Sequence, residues 1–263
     1  MMKIAVIGGG NMGGALVEGF LQSGKYAASD LFVGDRSEMV RNKFAARGVN
    51  VFADNREAAS QGDIVVVAVK PYLVAGVAAE IKGCIAEGAR VVSIAAGVDI
   101  NAVEECFGDG IACFRAIPNI AAALCASMTF VSCSKRREDA AGPVLAMFGN
   151  VGKAVLLEEK LLDAAMVSAS CGMAYALRYI RAAMEASIEM GLTAPISEVI
   201  VAQTVRGASE LLLAGSEHPE ILIDKVSTPG GITIVGLNEM EHKGFTSAVI
   251  AGHIAAYGRV KNK

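Results

Sequence analysis

Residues 3–16 read KIAVIGGGNMGGAL. The run KIAVI is short and β-branched, GGGNMGG is a tight turn, and residues 15–23 resume with the apolar spacing of a helix. Gly8, Gly10 and Gly13 therefore form G-x-G-x-x-G directly between a strand and a helix. Each glycine relaxes a different steric limit, which lets backbone amides approach a pyrophosphate at the helix N-terminus. A bare turn would not call for all three, so the stretch predicts a bound dinucleotide.

The same alternation continues outward. Residues 31–33, 63–69 and 90–94 read as strands and 38–47 and 73–85 as helices, with shorter strand candidates at 113–116 and 128–131. Apolar runs this continuous imply burial on both faces, as in a parallel sheet covered by helices. Beyond Leu156 the pattern changes to Ala-rich and Met-rich helical spacing over 161–190, 196–214 and 246–260. The expected architecture is α/β: an N-terminal Rossmann-type, doubly wound parallel sheet over residues 1–157, then an all-α helical substrate and dimerisation domain over 158–263.

The second strand runs into Gly34-Asp35-Arg36-Ser37. Asp35 stands near the ~20-residue distance from the glycine motif at which an acid binds ribose hydroxyls. An acid repels a 2′-phosphate and an arginine attracts it, so Asp35 and Arg36 together leave NADH and NADPH both open. Taken alone, Arg36 also fits a solvated loop charge.

Composition narrows the remaining classes. Of 263 residues, 53% are apolar and 19% charged, which suits a buried core rather than a disordered chain. A formal charge of -3 gives no electrostatic footprint for nucleic acid or an anionic membrane surface. The six cysteines lie far apart, without C-x-x-C or metal-ligand spacing, and read as reduced thiols. No apolar run approaches the ~18 residues of a membrane span and no signal segment is visible, so the expected location is cytoplasmic.

Further motifs carry a family resemblance: AVKP at residues 68–71, VSIAAGV at 92–98, PN at Pro118 and Asn119, EHP at 217–219, and KVSTPGGITI at 225–234 followed by GL. With IGGGNMGGAL they make the chain similar to pyrroline-5-carboxylate reductases over essentially its whole length, and VSTPGGITI matches that family's V-[TS]-[ST]-P-G-G-x-T-I signature. The resemblance implies an NADPH- or NADH-dependent reductase that converts 1-pyrroline-5-carboxylate to proline. It implies that Gly8, Gly9, Gly10, Asn11, Met12, Asn55, Ala68, Val69, Lys70, Pro71, Ile94, Ala95 and Ala96 contact the dinucleotide. It implies that Asn119, Thr228, Gly231, Ile232 and Thr233 bind a small cyclic imino acid. It also implies a homodimer or larger homo-oligomer. A Pro-Gly-Gly turn entering a helix suits a carboxylate, because it exposes several backbone amides. The Thr233 hydroxyl is the catalytic candidate, orienting substrate or helping to deliver a proton.

The chain departs from the family where polar groups are usual. SGSGPAY becomes ASCGMAY at residues 169–175, a threonine position holds Met166, and PNTP becomes PNIA at 118–121. Two further readings therefore stand beside the main one: action on another cyclic imine, and a nucleotide-binding regulatory protein without catalysis. A β-hydroxyacid dehydrogenase is disfavoured, since alcohol oxidation needs a base and residues 161–192 contain no lysine. His218 reads as a helix start beside Pro219, Cys171 as a small buried apolar group, and Tyr175 as helix packing.

Overall fold

In the computed structural model, which describes residues 2–261, strands and helices alternate through the first part of the chain. β1 (Ile4–Ile7) leads through the glycine turn into α1 (Asn11–Gln22), β2 (Leu31–Gly34) into α2 (Glu38–Ala45), β3 (Asn50–Phe52) into α3 (Asn55–Ala59), and β4 (Ile64–Val67) into α4 (Val74–Ile81). β5 (Arg90–Ser93), α5 (Ile100–Phe107), β6 (Ala112–Ile117), β7 (Ser127–Ser132), α6 (Gly142–Gly149) and β8 (Gly152–Leu156) follow. All eight strands join one sheet in the order β3-β2-β1-β4-β5-β6-β7-β8.

The first six strands run parallel, whereas β7 is antiparallel to β6 and β8 parallel to β7. The sheet is therefore mostly parallel, with its one antiparallel pairing between β6 and β7. Only a 3₁₀ turn, Ile120–Leu124, lies between β6 and β7, and a parallel return needs a crossover of a dozen or more residues. β1 shows why the strands are apolar on both faces. Ile4 and Val6 enter one core layer with Leu16, Phe20 and Phe114, while Ala5 and Ile7 enter the other with Val65, Val77 and Val103. Full burial of each large side chain contributes about 1.5–3 kcal/mol.

Two thiols report on this core. Burial pushes the Cys113 thiol up to about 12 and the Cys133 thiol up to about 11. An unfolded cysteine ionises near pH 8.5, so above that value the folded chain holds more protons than the unfolded one. Their contribution is complete below about pH 8.5 and is lost as the pH rises toward 11 to 12. The denaturant midpoint is expected to fall between pH 8.5 and 10.5, and to fall less in Cys113→Ala; equal slopes would show that the Cys113 thiol is not protected. Exposed Gly76 of α4 has open space where a Cβ would stand. Gly76→Ala is expected to stabilise the fold by about 0.5–1 kcal/mol in denaturant titrations.

The chain divides into two compact units, Met1–Met166 and Val167–Lys263. α7 (Leu162–Met166) and the segment before it fall in the first of these units. The second unit opens with a π-helical turn, Val167–Cys171, and continues as α8 (Gly172–Glu189), α9 (Ala194–Ala214), α10 (Pro219–Val226), α11 (Ile232–His242) and α12 (Phe245–Lys261). Its helices start and stop where local chemistry requires. Gly191 takes a φ of 100° after α8, and the His218 ring Nδ1 accepts the Glu220 N–H at the head of α10. Val167 and Val201 are its buried apolar side chains, whereas Leu211, Ile232, Val235 and Ile254 are all at least 60% exposed. No described helix is long and apolar enough to cross a membrane.

Candidate functional site

The glycine turn is built by close approach. Gly8 has a φ of 99°, and its N–H donates to the Gly34 carbonyl at 2.8 Å, locking β1 against the end of β2. A Cβ on Gly8 would stand 2.7 Å from the Ala68 carbonyl oxygen, and one on Gly13 would collide with the Gly8 carbonyl. Gly10 differs, because a Cβ there would meet nothing within 4 Å. It is the N-cap of α1 and offers no side-chain acceptor, so the first amides of the helix keep their capacity for an anion.

A cleft of about 570 Å³ opens across the carboxyl ends of β1 to β5. Gly8, Gly10, Asn11 and Met12 line it from the first loop, and Asp35 and Arg36 from the second. Asn55 follows β3; Ala68, Val69, Lys70 and Pro71 follow β4; Ile94, Ala95 and Ala96 follow β5. Of the sequence-derived dinucleotide residues, Gly9 and Gly13 are buried behind this surface, where they permit the turn rather than face the cleft. Gly34, Leu73 and Val77 also line it. Leu73 and Val77 are four residues apart at the start of a predicted helix, a same-face spacing that would have revealed them.

Each loop is fixed by its own bonds. The Asp35 carboxylate accepts the Gly9 N–H through Oδ2 and the Ser37 N–H through Oδ1, both at 2.8 Å. Asn55, buried at the start of α3, donates from Nδ2 to Glu80 Oε2 at 3.0 Å. After β5, the buried Ser93 hydroxyl accepts the Ala95 N–H. The far end of that loop is held by Glu159, whose Oε1 accepts both the Ile100 N–H at 2.7 Å and a guanidinium N–H of buried Arg115 at 3.1 Å. The cleft thus has glycines where a Cβ would fill it, uncapped helical amides, and an apolar slot at Leu73 and Val77, which fits a pyrophosphate-bearing nucleotide.

The substrate candidates are not in this cleft. Asn119 is buried after β6, where its Oδ1 accepts the Ala121 N–H and so caps the 3₁₀ turn. Thr228, Gly231, Ile232 and Thr233 belong to the helical unit. There the Gly231 N–H donates to the Thr228 carbonyl at 2.9 Å, closing the Pro-Gly-Gly turn into α11. Gly231 caps α11 without a side-chain bond, Thr233 is exposed, and Ile232 is 91% exposed. The turn therefore presents free helical amides of its own.

A doubly wound sheet whose first strand ends in a glycine cradle at the topological switch point defines a Rossmann-type dinucleotide-binding protein. Residues 159–263 match the family model for pyrroline-5-carboxylate reductase dimerisation, and residues 3–97 match that of NADP oxidoreductase coenzyme F420-dependent proteins. The pyrroline-5-carboxylate reductase of Synechocystis sp. is 35% identical, covering 98% of this chain and 97% of that protein. Pyrroline-5-carboxylate reductase 1 of Dictyostelium discoideum is 32% identical over 96% of this chain, which spans only 48% of that longer relative. Among solved structures, a pyrroline-5-carboxylate reductase of Coxiella burnetii superposes with a TM-score of 0.90 at 29% identity, covering 99% of this chain and 98% of that one. The Plasmodium falciparum pyrroline carboxylate reductase with NADP bound gives 0.86 at 28% identity, covering 99% and 97%. The chain belongs to the pyrroline-5-carboxylate reductase family.

Proposed function

We propose that this protein reduces 1-pyrroline-5-carboxylate to proline with NADPH or NADH, as a cytoplasmic homodimer or larger homo-oligomer. The observation that carries this reading is the presence, in one chain of this family, of a glycine-cradled nucleotide cleft and an uncapped Pro-Gly-Gly turn suited to a carboxylate. When bound, the reduced nicotinamide supplies the hydride that the imine carbon accepts, and the imine nitrogen takes a proton. The protein's own part is positioning. Gly8, Gly10, Asn11, Met12 and the loops at Asp35, Asn55, Ala68 to Pro71 and Ile94 to Ala96 hold the dinucleotide. The amides around Gly231 and Ile232, with the Thr228 and Thr233 hydroxyls, hold the substrate carboxylate, and Asn119 shapes the loop after β6. An imine that arrives protonated needs no strong acid from the enzyme.

Loss of reduced-nicotinamide absorbance that depends on added pyrroline-5-carboxylate tests the reaction. Thr233→Ala is expected to lower kcat/KM by about 10- to 100-fold, the loss of one hydrogen bond to a charged group. An unchanged kcat/KM would remove Thr233 from the site. The apolar side chains Ile120, which is 59% exposed, and Met166 and Met173, which are partly exposed, favour a second reading. In that reading the preferred imine carries a larger apolar substituent, and kcat/KM rises for the bulkier ring. The exposed apolar faces of the helical unit support the oligomer, since such surface is normally covered. Sedimentation as an active monomer would refute the oligomer.

A further inference from the structure

The ribose end of the cleft contains an arginine that sequence motifs pass over. Arg41, in the first turns of α2, donates from Nη1 to the Asp35 carbonyl at 2.7 Å and to the Arg36 carbonyl at 2.8 Å. One guanidinium nitrogen therefore bridges two successive peptide groups of the loop. The Asp35 carboxylate is held from the other side by the Gly9 and Ser37 amides. Arg36, between these anchors, lines the cleft and is exposed, and its guanidinium has no hydrogen-bond or ion-pair partner among the described residues.

We infer that Arg41 sets the cleft's preference for the 2′-phosphorylated dinucleotide, by fixing the Asp35 and Arg36 carbonyls so that the Arg36 guanidinium stays on the cleft side. This rests on the dinucleotide reading above and adds which dinucleotide is taken. Asp35 is the one group arguing the other way, since an acid at this position repels a phosphate. Both of its oxygens already accept amide protons from the turn and the loop, so a ribose hydroxyl would have to share them. The charged side chains lining the cleft are Asp35 against Arg36 and Lys70, and Glu38 lies outside the lining. A guanidinium matches phosphate geometry with two parallel hydrogen bonds, which an unphosphorylated ribose cannot return. Arg41 is thus a positioning residue, and Arg36 is the group that touches the phosphate.

The test is titration of the full chain with NADP⁺ and NAD⁺ by calorimetry, without an imino acid. The unaltered protein is expected to bind NADP⁺ at least about tenfold more tightly, on the strength of one charge-assisted phosphate contact. Arg41→Ala and Arg36→Ala should each lower the NADP⁺ to NAD⁺ affinity ratio about tenfold. Arg41→Lys, which keeps a donor to the two carbonyls, should restore a substantial part of it. Parallel weakening of both ligands in Arg41→Ala, an unchanged ratio in Arg36→Ala, or tighter NAD⁺ binding by the unaltered chain overturns the inference. Binding of neither dinucleotide overturns it together with the reading it rests on. A ratio that moves as expected in a protein that reduces no pyrroline-5-carboxylate leaves Arg41 in this role and removes only the proposed reaction.

Discussion

Glu159→Ala is expected to lower the unfolding free energy by about 3 kcal/mol, because it leaves a buried guanidinium without its close partner. Arg115 lies on β6 with its side chain 6% exposed, 3.1 Å from Glu159 and 3.9 Å from Asp163. Its Nε has no acceptor, so there is little spare hydrogen bonding to absorb the loss. The substitution also frees the Ile100 N–H at the head of α5, immediately after the Ile94 to Ala96 wall of the cleft. Arg115→Met should cost less, about 1 kcal/mol, since removing the charge and filling its space is gentler than stranding it. Glu159→Gln, which keeps an acceptor and loses the charge, should fall between the two. Denaturant unfolding of the three variants measures this order. A Glu159→Ala cost below that of Arg115→Met would mean that Asp163 or water already satisfies the guanidinium.

Gly13→Ala is expected to weaken dinucleotide binding at least about a hundredfold and to cost about 2 kcal/mol or more of stability, because the added Cβ strikes backbone rather than a movable side chain. The atom it meets is the Gly8 carbonyl, so either α1 or the turn must shift. Gly10→Ala separates turn from ligand site. Its backbone, φ −66° and ψ −156°, is one that alanine adopts, and the added methyl faces open space. Stability should change by less than about 0.5 kcal/mol, while binding falls at least about tenfold because the methyl stands where a pyrophosphate would approach. Calorimetric titration and thermal unfolding of both variants check the pair. A Gly10→Ala protein that binds normally would show that the turn serves packing alone.

The sequence was most legible where local spacing and burial on both faces coincide. β1, β2 and β4 are continuous apolar runs, and the glycine spacing between β1 and α1 announced both the turn and its ligand class. The loop residues after those strands then meet in one cleft, because parallel strands of one sheet bring their carboxyl ends to one edge. β3 was not legible, since three half-buried residues paired on one side only carry no periodicity. Nor was the reversal at β7 and β8, which depends on the length of one connection rather than on the strands it joins.

Local pattern, then, was sufficient to establish the doubly wound sheet, the helical second half, the glycine cradle and the Pro-Gly-Gly turn, because each rests on residues near one another in the chain. Tertiary structure alone decided the rest. It engaged the Asp35 carboxylate with Gly9 across 26 positions and joined Arg115 to Glu159 across 44. These are contacts of polar groups whose partners are set by how strands and loops converge in space, and no period or motif in the chain encodes that convergence.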